Sequence, residues 1–516
     1  MALEAGSRPT PQPSLTERDL VPDLPPSAIP PLVPPDDGPA DSSSDRAVRG
    51  GAFALSGHMV VQGLRMGGQI VLTRLIPQEA FGLMAIVYTF RGAIDLFSDI
   101  GVGPSIIQNA RGDDPRFLDT AWTVQFGRGV ALWLFTAACA LPMAAFYGHP
   151  ELALLIPIAS FSAVVAGSRS TKGYSAERHL DLGRLTLIEV IAQISALSVM
   201  VVWAFWSPTV WALVAGGLVG ATVDVVLGHL ILTGYNGRFG LEKAALRALA
   251  QFGKWVFLST VLTFAVNEAD RLVFGKMVTL AELGVYNVAL TIASIPLSAM
   301  HSLAQKVIFP LFSRVNNTTQ LAKVFGQARR LHLVLSGWAL SGFIGGGPAA
   351  VSLVYDNRYA SGGWMLQLLA VGAWISTPEA TNSSALLAGG QPRWVAFGNF
   401  SKLLGMVALI PLGYAWYGFP GALTAYALSE LFRYGASTFG VYRRGLPTLR
   451  QDAGFTLVVA AASLCSLFVQ HQLQAYGAHV IVQALGVFVV TTLIWIPWLW
   501  PYLHDVLKRL ERRFAR

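Results

Sequence analysis

Charged residues are scarce in this sequence. Lys, Arg, Asp and Glu make up 13% of its 516 residues, hydrophobic residues make up 53%, and the mean hydropathy is +0.51. Soluble domains carry about 25% charged residues. The scarcity therefore excludes a soluble globular protein and predicts an integral membrane protein.

Cysteine and long hydrophilic loops are also nearly absent. Cys139 and Cys465 are the only cysteines, and both fall within apolar stretches, which excludes a disulfide framework and a metal cluster. A membrane-bound polymerase or glycosyltransferase would need a sizeable extramembrane loop or an acidic nucleotide-sugar motif, and the sequence has neither. We therefore expect a protein that is not an enzyme.

Apolar stretches of about 18 to 28 residues recur along the chain, and each can cross about 30 Å of hydrocarbon as a helix. We predict fourteen transmembrane helices. They lie near residues 48–76, 81–108, 118–147, 151–170, 182–206, 208–234, 252–276, 282–305, 329–354, 363–388, 393–416, 418–440, 453–471 and 478–503.

The first 45 residues differ from the rest. They hold eleven prolines and eight acidic against two basic residues, and no apolar run long enough for the core of a signal peptide. We predict that residues 1–45 form a disordered tail, most simply an extended linker, although its proline clusters also suit a binding partner.

The basic residues set the orientation. If both termini are cytoplasmic, the loops and tails on that side hold 28 Lys and Arg residues, and the opposite loops hold three: Arg74, Lys276 and Arg358. This bias predicts cytoplasmic termini. It also accounts for the sequence pI of about 9.5, so nucleic-acid binding need not be invoked.

An internal repeat is suggested by an offset of 202 residues. This offset places Phe81-Gly82-Leu83 on Leu283-Gly284-Val285, and Arg65 on Asn267. The sequence identity is low. Because six spans is an even number, the repeat would be parallel, with two six-helix lobes facing a central cavity. The expected units are the tail 1–45, an N-lobe 46–234, a C-lobe 235–442, two extra helices in 443–505 and a basic tail 506–516.

Arg65 lies in the middle of the first span, and His58, Gln62 and Gln69 share its helical face at spacings of four, three and four. An arginine at the bilayer centre costs about 2.5 to 3.5 kcal/mol on insertion scales. Such a charge should face protein or water. We expect Arg65, Gln62 and Gln69 to line a cavity.

The second span carries Arg91, Asp95 and Asp99 on one face, four residues apart each time. In one interpretation Arg91 pairs with Asp95 within the helix, and Asp99 neutralises Arg65. In the other, the arginines present charge to an anionic substrate, because a guanidinium holds phosphate oxygens in bidentate fashion.

The seventh span repeats this polar character with Asn267, Glu268, Asp270 and Arg271. Either these charges pair with one another near the outer end of the helix, or they line the transport path. Both interpretations stay open from the sequence.

Several segments together resemble the polysaccharide transporter family, which comprises O-antigen and exopolysaccharide repeat-unit flippases, within a superfamily that also contains multidrug and toxin extrusion antiporters. The resemblance spans roughly residues 46 to 450. Its segments are Thr73-Arg74-Leu75-Ile76, Phe81-Gly82-Leu83, Leu96-Phe97-Ser98-Asp99-Ile100-Gly101, Ser105-Ile106-Ile107-Gln108, Gln251-Phe252-Gly253-Lys254-Trp255, Ala269-Asp270-Arg271-Leu272-Val273, Gly284-Val285-Tyr286-Asn287 and Phe309-Pro310-Leu311-Phe312-Ser313-Arg314.

The resemblance implies a two-lobed flippase in the bacterial cytoplasmic membrane. It would move an undecaprenyl-diphosphate-linked oligosaccharide outward by alternating access, for exopolysaccharide, lipopolysaccharide or capsule synthesis, with polysaccharide polymerase or export proteins as possible partners. The residues expected to bind substrate are Arg65, Arg91, Arg271, Gln62, Gln69 and Asn267.

No cofactor or metal is expected, but transport in this superfamily can be coupled to H⁺ or Na⁺. Coupling would need an intramembrane carboxylate. The candidates are Asp95, Asp99, Asp270, Asp224 and Glu379, with Glu189 and Glu430 also within spans. An alternative for Asp224, Glu379 and Glu430 is a role in helix packing or a pair with Arg433. Two alternatives remain: a cation antiporter of the same superfamily, and a scaffold within a polysaccharide assembly complex.

Overall fold

A computed structural model describes residues 60–97, 111–179, 182–243, 268–303, 318–446 and 448–514, together with 102, 103, 106, 245, 246 and 266. Helices dominate these residues, and no β-strand occurs among them. Eight helices in this part of the chain are long and apolar enough to cross a membrane. The predicted all-α membrane fold is confirmed, and the number of fourteen spans stays a prediction.

The N-terminal half is a series of helices joined by short connections. Its principal helices are α1 (60–75), α2 (Gln78–Phe97), α3 (Pro115–Tyr147), α4 (Leu152–Ser160), α5 (Ser162–Gly167), α6 (Lys172–Arg178), α7 (Leu182–Trp206) and α8 (Val210–Ile231).

Local sequence signals set the ends of α3. The Asp114 carboxylate accepts a hydrogen bond from the Arg116 backbone N–H at 3.1 Å, and Pro115 occupies the first helical position. At the other end Gly148 takes a left-handed conformation with φ +77°, and its N–H bonds to the carbonyl of Ala144. These caps satisfy backbone groups that the helix leaves unpaired.

The C-terminal half is built in the same way. Its principal helices are α9 (268–277), α10 (Leu280–Leu303), α11 (Thr318–Val354), a 3₁₀ turn (Asn357–Tyr359), α12 (Gly362–Ala388), α13 (Pro392–Tyr442), α14 (Leu449–Ala475) and α15 (Val480–Phe514).

Helix α13 contains the predicted spans 393–416 and 418–440. Its helical geometry is interrupted at Tyr417 and Gly418, and Gly418 has φ +62°. The two arms then pack closely, because a Cβ on Gly413 would collide with the carbonyl of Gly421, and the reverse also holds. The sequence therefore specifies a tight helical hairpin, in which glycine supplies both the turn and the close approach.

One hydrophobic core joins the two halves. It includes Ile86 of α2, Phe274 of α9 and Tyr286 of α10, each with no exposed surface. The Phe274 ring lies edge-on to Tyr286 at 5.2 Å and to Phe419 at 5.3 Å. This core fixes α9 and α10 against the rest of the protein. The predicted site residues Asp270 and Arg271 both lie on α9.

Candidate functional site

Arg65 lies on α1 beside α7. Its Nε donates to Gln193 Oε1 at 3.3 Å, and its Nη2 lies 3.9 Å from Glu189 Oε1. The side chain is 57% exposed. Among the described residues its acidic neighbour is therefore Glu189, and not Asp95. The guanidinium keeps an accessible face, which a charge at this depth in an apolar helix presents to water or to a ligand.

The polar stripe around Arg65 is only partly described. Gln62 and Gln69 are partly buried on α1. His58, Asp99 and Asn267 lie outside the described residues, so their predicted positions stay predictions.

Arg91 and Asp95 form an ion pair within α2. Arg91 Nε lies 3.3 Å from Asp95 Oδ2, one helical turn along. Arg128 of α3 donates through Nη2 to the backbone carbonyl of Asp95 at 2.5 Å. Both members of the pair are about one-third exposed, so Arg91 contributes less uncompensated positive charge than Arg65.

Asp270 and Arg271 of α9 point to different partners. Arg271 pairs with Glu268 in the same helix. Asp270 is fully buried and accepts a hydrogen bond from the Tyr286 hydroxyl of α10. The Oδ1 atom of Asp270 has no hydrogen-bond partner among the described residues. Arg271 and Glu268 therefore compensate each other, whereas the side-chain hydrogen-bond donor to Asp270 is a neutral hydroxyl, and the cation that acts on Asp270 by Coulomb attraction is Lys402.

The remaining coupling candidates are paired with cations. Asp224 lies 3.4 Å from Arg169, and Glu379 lies 3.6 Å from Arg433. Arg433 also pairs with Glu430 at 2.9 Å.

Lys402 joins this buried charge network through a contact that the sequence did not predict. Its Nζ lies 2.7 Å from Glu430 Oε1 and 5.3 Å from the centre of the Tyr426 ring. The side chain is 2% exposed. A charge in an apolar helix was its only sequence signal, and the identity of its partner depended on the hairpin in α13.

A second buried pair ties α14 to α11. The carboxylate of Asp452 accepts from Nε and Nη2 of Arg329 at 2.7 to 3.0 Å and from the Tyr434 hydroxyl at 2.7 Å. Arg329 Nη1 also donates to the carbonyl of Pro378 and to Asn382. Arg329 is the first residue of the predicted span 329–354, and the sequence did not predict this contact.

The two halves meet at the ends of α1 and α2. Arg358, in the 3₁₀ turn after α11, donates to the carbonyls of Thr73 and Arg74 at 2.7 and 3.2 Å. It also pairs with Asp356 at 2.6 Å, and this hydrogen bond lowers the pKa of Asp356. Tyr147 of α3 donates to the carbonyl of Leu272 at 3.0 Å. These contacts close the protein on the side that the topology predicts to be extracytoplasmic.

A reciprocal glycine contact reinforces this closure. A Cβ on Gly82 of α2 would collide with the carbonyl of Leu280, and a Cβ on Gly284 of α10 would collide with the carbonyl of Gln78. The helices can cross this closely only because both positions are glycine.

Comparison with known sequences identifies relatives in polysaccharide synthesis. The family model described as "Polysaccharide biosynthesis protein" matches residues 71–361. The lipopolysaccharide biosynthesis protein WzxC of Escherichia coli K12 is 23% identical over 337 residues, which are 64% of this chain and 67% of that protein. The teichuronic acid biosynthesis protein TuaB of Bacillus subtilis 168 is 21% identical over 57% of this chain and 61% of its own length.

Solved structures share the fold. The lipid II flippase MurJ, in an inward closed conformation, superposes with a TM-score of 0.70 at 12% identity, over 88% of this chain and all of that structure. An inward-facing multidrug resistance transporter of the MATE family superposes with a TM-score of 0.58 at 13% identity, over 76% of this chain and 98% of its own. Both similarities concern the fold alone.

Proposed function

Because this chain is a membrane transporter of the polysaccharide biosynthesis protein family, we propose that it flips an undecaprenyl-diphosphate-linked oligosaccharide across the bacterial cytoplasmic membrane. The headgroup of such a lipid is too polar to cross hydrocarbon unaided. It needs a hydrated, cationic path while its lipid tail stays in the bilayer. Relatives named for lipopolysaccharide and teichuronic acid synthesis support this substrate class.

The exposed guanidinium of Arg65 carries the proposal. Its nearest described carboxylate lies 3.9 Å away, so the charge is compensated only weakly. A diphosphate offers several anionic oxygens to which a guanidinium can donate in bidentate fashion. Arg91 is already paired with Asp95, and Arg271 is already paired with Glu268. These two arginines would then act on the substrate mainly through the local electrostatic potential.

The closed contact between the two halves supports alternating access. Arg358, Tyr147 and the crossing of Gly82 and Gly284 hold one side shut. Release of a headgroup on that side would require these contacts to open, as they would if two repeat-related halves rocked apart on that side. The closed side would be extracytoplasmic, with both termini in the cytoplasm.

Ion coupling through Asp270 is part of the proposal. Asp95, Asp224 and Glu379 each lie within 4 Å of an arginine, and Asp99 is outside the described residues. Asp270 is fully buried and bonds to a neutral tyrosine hydroxyl. Among the described residues no cation lies within ion-pair distance of this buried carboxyl, which suits it to gaining or losing H⁺, or to binding Na⁺, during transport.

Export in a strain that lacks the native gene tests the substrate. We expect Arg65→Ala to abolish polymer export and to accumulate the lipid-linked intermediate, detected by mass spectrometry, with Arg65→Lys intermediate. Arg91→Ala should reduce export less, and Arg393→Ala, an exposed arginine outside the proposed path, should not reduce it. If Arg65→Ala and Arg91→Ala both insert normally and retain full export, the cationic path is wrong.

The same strains separate the alternatives. A scaffold would tolerate Arg65→Ala without accumulation of intermediate. A cation antiporter would export cationic dyes, and deletion of the gene would leave the lipid-linked intermediate at its normal level. Neither result is compatible with the proposed flippase.

A further inference from the structure

A groove of about 700 Å³ opens where α11, α14 and α15 meet. This volume lies in the range of small-molecule sites. Two arginines stand beside an apolar wall. The residues that define the groove are Arg330, Arg450, Gln451, Phe455, Val458 and Trp498.

The apolar wall is held in place by tryptophan packing. The Phe455 and Trp495 rings stack with centroids 6.2 Å apart and an interplanar angle of 2°, and Trp498 lies 5.9 Å from Trp495. Trp495 is fully buried, and its Nε1 donates to Ser341 Oγ at 3.0 Å. The wall is therefore formed before any ligand arrives.

Among the side chains that the structure describes, the two arginines of the groove have no acidic partner. Arg330 and Arg450 are exposed, and no carboxylate of the described residues lies within 4 Å of either guanidinium. Asp452, the acid closest in sequence to Arg450, is already neutralised by Arg329 in the buried pair. Two cationic groups beside an apolar wall match an amphiphile with an anionic head.

The outer surface beside the groove is apolar. Leu457 and Leu464 of α14 and Leu493 of α15 are each at least 60% exposed, as expected where helices face lipid. Arg330 and Arg450 lie near the starts of their membrane segments, on the predicted cytoplasmic side. Trp498 suits the same interface, where tryptophan is enriched in membrane proteins. A membrane lipid can therefore reach the groove sideways.

We propose that this groove binds one anionic glycerophospholipid of the cytoplasmic leaflet. Arg330 and Arg450 donate to its phosphate, and one acyl chain lies along Phe455, Val458 and Trp498. The bound lipid would brace α14 and α15 against α11, next to the Arg329–Asp452 pair. This role is independent of the transported glycan, because all the lining residues belong to α11, α14 and α15, and α1 and α9 carry the proposed substrate and coupling groups.

Native mass spectrometry of the full-length protein in mild detergent tests the site. Dioleoyl phosphatidylglycerol is titrated onto wild type, onto Arg330→Gln/Arg450→Gln, and onto the matched control Arg393→Gln/Arg443→Gln. The control removes two exposed arginines from the same half. We expect the groove variant to weaken the tightest phosphatidylglycerol binding at least tenfold, and the control to change it less than twofold. Equal binding by the two variants would overturn the proposal.

A variant that retains both arginines tests the shape of the groove. Gly454 also lines the groove, and a Cβ there would meet nothing within 4 Å, so Gly454→Leu should fold normally and project into the space. We expect it also to weaken phosphatidylglycerol binding, as judged against wild type. Wild-type unfolding should be shifted to higher temperature by phosphatidylglycerol and not by phosphatidylcholine, which checks the site without any substitution. An unchanged affinity in Gly454→Leu, or equal effects of the two lipids, contradicts the proposal.

Two competitors distinguish the sources of phosphate. Inorganic phosphate should fail to displace phosphatidylglycerol, because it has no chain for the apolar wall. Farnesyl diphosphate should displace it no better than another anionic lipid does. Displacement by inorganic phosphate would overturn the lipid assignment, and preferential displacement by farnesyl diphosphate would make the groove a substrate site instead.

Discussion

Gly82 and Gly284 make the same contact on opposite sides of one helix crossing. Gly82 lies against the carbonyl of Leu280, and Gly284 lies against the carbonyl of Gln78. Gly82 and Gly284 are 202 residues apart, and so are Gln78 and Leu280. This is the offset at which the sequence suggests a repeat. A two-fold relationship between the halves would produce this reciprocity. In that case the crossing would lie on the two-fold axis that relates the halves, and it is closed in this structure.

A side chain at Gly82 should open this crossing. Gly82→Val places a branched side chain where the Leu280 carbonyl lies, and overpacking of this kind costs about 1 to 3 kcal/mol. The closed state should become less populated by roughly five- to 150-fold. Spin labels are placed at Thr209 and Trp416 in a background without Cys139 and Cys465. Double electron–electron resonance should then report a longer distance between the labels in Gly82→Val than in the protein with Gly82.

The control lies on the same helix. A Cβ on Gly92 meets nothing within 4 Å, so Gly92→Val adds the same side chain to α2 without a collision. It should leave the distance distribution unchanged. Gly284→Val should reproduce the effect of Gly82→Val. A closed distribution in both crossing variants would mean that these glycines do not hold the halves together.

Removing the carboxylate beside Arg65 should tighten substrate binding. The Arg65–Glu189 pair is about half exposed, so Glu189→Gln should change the free energy of unfolding by less than about 1 kcal/mol. Loss of a unit charge about 4 Å away changes the interaction energy with an anionic ligand by about 1 kcal/mol in a water-like medium. This corresponds to about a fivefold change in affinity for the ligand. Titration with a polyprenyl diphosphate, with the remote Glu151→Gln as control, measures this. Weaker binding would show that Glu189 orients Arg65 instead of competing for it.

Sequence periodicity was enough to predict which residues share a helical face. The stripe of Arg65, Gln62 and Gln69 and the four-residue spacing of Arg91 and Asp95 are local properties of one helix. The partner of Arg65 was not predictable in this way, because Glu189 lies on α7, more than 120 residues along the chain. Only the packing of α7 against α1 decides it.

The same reason explains the missed charges. Lys402 and Glu430 meet because α13 folds back at Gly418, and Arg329 and Asp452 meet because α14 packs on α11. Each residue alone is an ordinary charge in or near an apolar segment. The apolar pattern could therefore predict the helices and their class, whereas the pairing of buried charges depends on tertiary packing.

The charges of Lys402 and Glu430 should contribute cooperatively to the free energy of unfolding. Without Lys402, Glu430 and Glu379 share the single cation Arg433, so one buried negative charge is left uncompensated and Lys402→Met should destabilise the protein by about 3 kcal/mol or more. Lys402→Met/Glu430→Gln should be more stable than the sum of the single effects predicts. Unfolding in mixed micelles of rising SDS content measures the cycle, and the exposed Arg393→Met is the control. Additive effects would show that the two charges do not interact.

Acid should weaken the attachment of residues 238–242, which follow α8, to the start of α3. Arg111 donates to Glu242 and to Asp114, and these hydrogen bonds lower the pKa of both carboxyls from ordinary values of 4.5 and 3.8. Because the folded-state pKa values are depressed, the stabilisation is complete above the ordinary values and is lost as pH falls through the lowered ones. Amide exchange of residues 238–242, corrected for its intrinsic rate, should be constant near neutral pH and faster below about pH 4.

Two arginine variants check that prediction. Arg111→Gln should accelerate exchange at neutral pH and reduce its dependence on acid. Arg116 is an exposed neighbour that makes only the smallest Coulombic contribution to the lowered pKa of Glu242, so Arg116→Gln should behave nearly like wild type. If the two variants exchange alike, the docking of this segment rests instead on the hydrogen bonds that the Asp119 carboxylate accepts from the Tyr235 hydroxyl and the Arg238 backbone N–H.

Asp270 should be required for coupling and not for substrate binding. It is buried beside Tyr286 on α9 and α10, on the opposite half from Arg65. Asp270→Asn keeps the shape and the hydrogen bond but cannot gain or lose a proton. In proteoliposomes we expect it to abolish the acceleration of transport by an imposed H⁺ or Na⁺ gradient, while polyprenyl diphosphate affinity stays within about twofold, since Coulomb interactions at long range are screened.

Tyr286→Phe tests the Asp270 carboxyl without its hydrogen-bond donor. It removes the hydroxyl that donates to Asp270 and leaves the ring in its edge-on contact with Phe274. The carboxyl is retained, so gradient-driven transport should persist with a shifted dependence on pH or Na⁺. Transport by Asp270→Asn that still responds to the gradient would exclude Asp270 as the coupling group. The response should then be sought at Asp95, Asp224 or Glu379, each of which would have to leave its arginine during the cycle.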